Sequence, residues 1–533
     1  MATVPPASQP ETASPPLQEK EIHNVDRPPR HTSNAYSPYS VFTLNEKRFM
    51  VFILTIASLF SPISSTIYYP ALGSLASELH VSNSLINLTV TSFMIFQGLA
   101  PAFTGAFSDA EGRRPAYLIC FVVYIVANIG LALQSNYAAL LILRCVQSSG
   151  SSGTIALGNA VVADIVTASE RGTWMGWALC GGVLGPAIGP VIGGLLSQYL
   201  GWRFIFWFLA IFSGVYLIPI ILFFPESCRA VVDNGAQRPP KWNSCLLDPR
   251  IKKRVALDNR VIGPPIPPHP LRFPNPIKTL AILFEKEAGL ILVSSGLLFA
   301  GFYGLWAGLP SQLEENYGFN PTQIGLGFLA SGIGGLVSAL TTGKLIDYNF
   351  RRHAHKLGLE PLHARRLRSL STFPIEAARI EVALPFLFLG AASMLAFGWV
   401  MHFKVHISGV LVLLFFVGFS TTAAFTTMAT LMVDLFPEKP ATATAANNLT
   451  RCWLGAGATA IAVPMIEAVG MGWTLTFVAG LWLLLVPPLL AVIRWGPGMR
   501  RKKEEKLARN RGREEAGAAE GQIGVGREKS PEK

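Results

Sequence analysis

Runs of about 20 apolar residues recur along most of the chain, each long enough to cross a ~30 Å hydrocarbon core as a helix. They lie at 49–69, 87–107, 116–134, 138–165, 174–198, 203–224, 288–311, 323–346, 381–402, 407–433, 443–466 and 473–494. Backbone groups inside a bilayer have no water to bond, so runs of this length are read as helices. The fold expected is an all-α integral membrane protein with twelve transmembrane helices in two six-helix halves. Composition agrees: 50% of residues are hydrophobic and 14% charged, against about 25% charged in a typical soluble domain.

Residues 1–46 and 496–533 are rich in Pro, Ser or charge and have no apolar period, so they read as tails that cannot fold alone. A short surface helix is compatible with 499–511. The N-terminus lacks the basic start, short apolar core and small-residue cleavage site of a signal peptide, so the first helix is expected to stay in the mature protein.

Orientation follows from where Lys and Arg fall. With the N-terminus inside, the cytosolic links carry Arg113 and Arg114, Arg171, eleven Lys/Arg in 225–287 and seven in 347–380. The opposite links carry Arg203 and Lys404 beside Glu78, Glu314, Glu315 and Glu467. Both tails are therefore expected to be cytosolic. The net charge of +12 then sits against anionic lipid headgroups. Nucleic-acid binding is disfavoured because the basic residues are divided among links instead of forming one surface. Six cysteines fall in helices or in the cytosolic link, which points to free thiols. "NLT" at 87–89 and 448–450 falls inside apolar runs and makes a poor glycosylation acceptor. No metal-binding or cofactor-binding pattern is identified, and none is expected.

Residues 47–224 and 288–495 read as the two halves, joined by a Pro-rich linker at 225–287 that includes "PPIPPHP". Each half has a Gly-x-x-x-Asp link after its second run, Gly105 to Asp109 and Gly343 to Asp347, and each ends its fourth run in an Asp, Asp164 and Asp434. Such internal repeats characterise many secondary transporters.

The first link, "GAFSDAEGRRP", resembles the signature between helices 2 and 3 of the major facilitator superfamily, with Gly105, Asp109, Gly112, Arg113 and Arg114 in the matching places. The resemblance extends over 45–495. It implies a cytosolic latch in which Asp109 faces the start of helix 11 near Thr442 to Thr444, where the helix dipole favours an anion. It also implies that Arg113 pairs with Asp164, and that the latch stabilises the outward-facing state. The second copy has Asn349 and Phe350 before Arg351 and Arg352, which argues against a second working latch.

The fifth run contains "GGVLGPAIGPVIGG", in which Gly181, Gly185, Gly189 and Gly193 share a helix face open to close approach. Pro186 and Pro190 each remove a backbone hydrogen bond, so a kink is expected. With Gly194, this run resembles the antiporter motif of the drug:proton antiporter families and favours export. The twelve spans, "LGWRFIFWF" and "FFPES" are similar to the twelve-span branch of those families, and within it to the fungal quinidine-resistance and citrate-exporter-like group.

Charges inside the membrane are costly and usually functional. Arg144 lies in the fourth run with Gln147 at i+3, and matches an Arg that the superfamily commonly links to proton coupling or substrate. "AANNLTRCW" places Asn447, Asn448 and Arg451 inside the eleventh run, with Arg451 about 12–15 Å from its start. No carboxylate stands in the middle of runs 1, 2, 5, 7 or 8, so the cavity reads as positive. A carboxylate held by the guanidinium forks of Arg144 and Arg451, with Gln97, Gln147, Asn447 and Asn448 reading its hydroxyls or carbonyls, is the expectation. Phe93, Phe96, Trp306 and Phe425 supply an apolar wall.

The function expected is therefore export of a small organic compound by alternating access, either an organic acid such as citrate or a related carboxylate, or a fungal secondary metabolite or drug. The resemblance implies proton antiport, the plasma membrane and a monomer. Moving one anionic charge out of a negative cell interior releases ~2.3 kcal/mol per 100 mV, which leaves potential-driven exit open. A nucleotide-driven pump is disfavoured: "LTTGKLID" has Ser338 and Leu345 where a phosphate loop needs Gly and Ser/Thr. A receptor or structural protein does not explain the repeat, the link and the glycine face together. An enzyme is not expected.

Overall fold

Thr43 opens the first helix through a capping box: its hydroxyl accepts from the Glu46 backbone N–H while the Glu46 carboxylate accepts from the Thr43 N–H at 2.7 Å. Helix α1 then runs over Leu44–Thr66, five residues ahead of the apolar run. The computed structural model describes residues 39–167, 170–235, 237, 239–247, 282–358, 373–436, 440–502 and 505. The tail residues 1–38, the linker residues 248–281 and the tail beyond 505 lie outside the described residues.

The helices that follow are α2 (Asn83–Glu111), α3 (Arg113–Leu133), α4 (Tyr137–Ile165), α5 (Arg171–Tyr199) and α6 (Arg203–Phe223). Then come α7 (Lys286–Tyr317), α8 (Pro321–Lys356), α9 (Ile375–His402), α10 (Ile407–Leu435) and α11 (Pro440–Leu483). There is no strand among the described residues.

Ten helices among the described residues are long and apolar enough to cross a membrane by length and composition, where the sequence predicts twelve. The difference has two sources. Helix α4 is 29 residues long but carries Arg144, Gln147 and a Ser/Gly cluster at 148–153, which dilutes its hydropathy. The last apolar helix continues unseparated to Lys502, although Gly470 interrupts α11 with a positive φ of 81°.

Packing repeats with an offset of six helices. In the first half α1 packs on α4 and α5, α2 on α4, and α3 on α4 and α6. In the second, α7 packs on α10 and α11, α8 on α10, and α9 on α10 and on α11. Helix α5 meets α8, and α2 meets α11, across the seam between the two sets.

Candidate functional site

Arg144 is wholly buried in α4. Its guanidinium lies between two rings, Tyr68 at 4.4 Å after α1 and Phe93 at 4.3 Å in α2, so both faces are covered. One edge is used: Nη1 donates to the Ser64 carbonyl at 3.2 Å and to Gln147 Oε1 at 2.7 Å. Gln147 passes the chain on to Asn128 Oδ1 at 2.7 Å, and Ser64 bonds the Tyr124 hydroxyl. The Nε and Nη2 atoms have no hydrogen-bond partner. These are the two donors that form a bidentate fork toward a carboxylate. Leaving a buried donor unmet costs about 1–3 kcal/mol, which an anion seated there would recover.

Arg451 stands in α11, the second half's counterpart of α5, not of α4. Its guanidinium lies 4.5 Å from Phe299 of α7 and 5.4 Å from Phe425 of α10. Nη2 donates to Asn448 Oδ1 at 2.7 Å, and Nε is buried without a partner. Asn448 reaches across the seam to donate to the Gln97 carbonyl at 3.2 Å, while the Gln97 amide donates to Ser61 in α1 at 3.1 Å. The structure thus groups Gln97, Asn448 and Arg451, and separately Arg144 and Gln147. Asn447 joins neither group: its side chain accepts from Ser295 of α7 at 3.0 Å and ties α11 to that helix. Of the expected apolar wall, Phe93 and Phe425 flank the arginines, Trp306 packs against Tyr69, and Phe96 is exposed.

At the end of the bundle that carries the 105–115 link, Gly112 joins α2 to α3 with a φ of 118°, open to glycine and strained for other residues. Arg113 donates from Nε to Asp164 at 2.9 Å and from Nη1 to Ser108 and Asp109. Asp109 pairs with Arg113 and its side chain is 70% exposed. Among the described residues its carboxylate is hydrogen-bonded to Arg113. Arg114 donates to the Ile221 carbonyl at 3.0 Å.

Sequence reasoning missed the centre of this cluster. Glu226, buried after α6, accepts from the backbone N–H groups of Arg113 (2.8 Å), Arg114 (3.1 Å), Ser227 (2.9 Å) and Cys228 (2.8 Å), and from Asn243 at 2.8 Å. It satisfies the orphan donors at the start of α3 and complements its dipole. The signal was the Glu of "FFPES", an acid set next to a helix end in an otherwise uncharged stretch. The described residues 226–235 and 239–247 form a strap on the first half, with Arg229 donating to the Asp164 carbonyl and stacking on Tyr39 at 3.9 Å. Replacing Glu226 with Ala should cost about 3 kcal/mol, since several charge-assisted hydrogen bonds are lost together. A thermal shift of the detergent-purified protein checks this.

The second half builds the same end from different residues. Arg379 of α9 donates to Asp434 at 2.9 Å, in the manner of Arg113 and Asp164. Where Glu226 follows α6, Arg500 lies in the last turn of the final helix and reaches Glu376 at the start of α9 at 3.1 Å. Charge signs are exchanged between the halves.

Helix α5 remains continuous through Pro186 and Pro190. Its glycine face meets α1: a Cβ on Gly181, Gly185, Gly189 or Gly193 would stand 1.9–2.8 Å from Thr55, Pro62, Thr66 or Ile67. Its other face meets α8 toward the end opposite the links. There a Cβ on Gly194 would lie 2.3 Å from the Pro321 carbonyl, one on Gly325 2.3 Å from the Pro190 carbonyl, and one on Gly332 2.5 Å from Ala187 Cα. Helices α2 and α11 close the same end through Thr91 and Thr459, 2.9 Å apart. Toward the link end, a Cβ on Gly105, Gly176 or Gly343 would meet nothing within 4 Å. The seam is tight at the end opposite the links.

Comparison with known proteins places this geometry. The model of the Major Facilitator Superfamily matches residues 54–460. The MFS-type transporter phiD of Fungal sp. (strain ATCC 74256) is 46% identical over 88% of this chain and 71% of that protein. The MFS-type transporter tstD of Talaromyces stipitatus is 41% identical over 94% and 93%, and Citrate exporter 1 of Aspergillus niger is 36% identical over 93% of each. Among solved structures, the human organic anion transporter MFSD10 (TETRAN) superposes with a TM-score of 0.52 at 20% identity, covering 83% of this chain and 99% of that one, a likeness of fold. The chain belongs to the Major Facilitator Superfamily and is a multi-pass membrane transporter, not an enzyme.

Proposed function

We propose that the protein exports organic anions, carboxylates such as citrate or a related metabolite, by alternating access between its two halves. The observation that carries this reading is the pair of arginines, one per half, each flanked by two rings and each with unpaired donors. The buried carboxylates Glu226 and Glu376 stand at helix ends and not beside them. An anion can supply the countercharge that a desolvated guanidinium lacks. With both tails and the link end cytosolic, the tight seam at the opposite end favours an inward-facing conformation, and the exposed Asp109 is a latch that engages α11 in the outward-facing one. Proton antiport at the plasma membrane by a monomer is the mode that the family resemblance implies. The aromatic residues around both arginines favour a second reading, export of a larger secondary metabolite or drug.

Radiolabelled citrate flux in vesicles containing the protein tests the reading, with and without a proton gradient. Flux above protein-free vesicles is expected. Its stimulation by the gradient marks antiport, and stimulation by membrane potential alone marks charge-driven exit. Absence of flux from correctly inserted protein overturns citrate as substrate.

A further inference from the structure

Between the two arginines lies a pair of residues that the organic-anion reading does not use. Tyr69, in the 3-10 turn Tyr69–Ala71 after α1, and Trp306 of α7 are 0% and 1% exposed. Their rings meet edge to face with centroids 5.9 Å apart, and both pack on Phe328 of α8, at 5.8 Å and 5.1 Å. Tyr69 comes from the first half, Trp306 and Phe328 from the second, so the pair straddles the seam. The Tyr69 hydroxyl and the Trp306 Nε1 are both buried without hydrogen-bond partners. Tyr68, next to Tyr69 in the chain, lies 4.4 Å from the Arg144 guanidinium, and Tyr303, 6.4 Å from Trp306 ring to ring, packs on Phe299, which lies 4.5 Å from the Arg451 guanidinium.

The unmet groups along this line, Arg144 Nε and Nη2, Tyr69 Oη, Trp306 Nε1 and Arg451 Nε, all carry a hydrogen to donate. A ligand that satisfies them must bring acceptors. At the tyrosine and tryptophan the donors are neutral and set among ring faces, where a second carboxylate would be desolvated with no countercharge. An uncharged oxygen on an apolar, unsaturated body meets both conditions. We propose that Tyr69 and Trp306 form a subsite for a neutral carbonyl oxygen on an unsaturated part of the same anion whose carboxylate sits at Arg144. This rests on the organic-anion reading and narrows it to oxo-substituted aromatic or conjugated carboxylates.

Three labelled probes separate the two ideas in reconstituted vesicles: citrate, benzoate, and 4-acetylbenzoate, which adds a ketone to the benzoate ring. The wild type should prefer 4-acetylbenzoate to benzoate by about tenfold, the effect of one gained hydrogen bond to an otherwise unmet donor. Tyr69→Phe and Trp306→Phe should each reduce that ratio severalfold. The Tyr69 hydroxyl bonds nothing in the protein, so Tyr69→Phe should fold normally. Equal transport of the two aromatic acids by the wild type, a ratio unmoved by both variants, or transport of citrate alone overturns the subsite and spares the anion reading. Failure to move any of the three overturns both.

Discussion

Arg144→Ala should lower anion transport by about 30-fold to more than 1,000-fold, the range for losing one partner of a buried charge-paired contact. The loss is large because this side chain offers a whole unpaired Nε/Nη2 edge, prealigned by the rings of Tyr68 and Phe93 and by the bonds to Ser64 and Gln147. Arg144→Lys should restore little, because an ammonium keeps the charge but neither the fork nor the flat faces. Arg451→Ala should cost less, about tenfold, since Asn448 already holds Nη2 there and no unpaired Nε/Nη2 fork is left. Initial rates of citrate or aromatic-acid flux at equal amounts of inserted protein measure all three. A thermal-shift comparison separates loss of the site from loss of the fold. Equal rates for Arg144→Ala and wild type would remove this arginine from the binding site.

Gly332→Leu should stop the cycle from the other direction. Its Cβ would lie 2.5 Å from Ala187 Cα, a backbone atom of the facing helix that cannot swing aside. Overpacking of this kind costs about 1–3 kcal/mol or more, which shifts a two-state equilibrium roughly 5-fold to 150-fold away from the closed seam. Transport should fall about 5-fold or more while the protein still inserts. The closed end can be read directly, because Thr322 donates its backbone N–H to the Gln198 side chain at 3.2 Å there. A Gln198→Cys, Thr322→Cys pair should cross-link readily in otherwise unaltered protein and poorly beside Gly332→Leu. Gly343→Leu is the control: nothing lies within 4 Å of its Cβ position, so the cross-link should persist. Cross-linking undiminished by Gly332→Leu would mean that the seam does not open at this end.

Hydropathy located the helices well where lipid is the only solvent. The runs at 116–134, 138–165 and 203–224 correspond to α3 (Arg113–Leu133), α4 (Tyr137–Ile165) and α6 (Arg203–Phe223). It failed where a helix continues into water, because a polar turn carries no hydropathic signal. Helix α8 runs ten residues past its apolar run, through "DYNFRRHAHK", and α9 begins at Ile375 instead of 381, which brings Glu376 and Arg379 inside it. The arginines were legible as charges out of place. Their surroundings were not, since Phe93, Phe299 and Phe425 come from three different helices and Tyr68 from the turn after α1, and no spacing links them. The glycine face of α5 was readable as a contact surface, yet its partner α1 emerges only from the three-dimensional packing. Glu226 illustrates the same limit: an acid after a helix announces an N–H to bind, but not that the N–H belongs to α3.

The modest hydropathy of α4 bears on how the chain is made. A segment holding Arg144, Gln147 and the Ser/Gly cluster gains little by partitioning into lipid alone. Several of its groups find partners on neighbours: Gly150 rests against the backbone at Tyr124 of α3, Ser148 donates to the Phe93 carbonyl of α2, and Thr154 to the Ala57 carbonyl of α1. All three of those helices leave the ribosome before α4 does. Synthesis order therefore delivers a ready polar berth for the least lipid-soluble helix, and the polar residues of α4 enter the bilayer already chaperoned by their own chain.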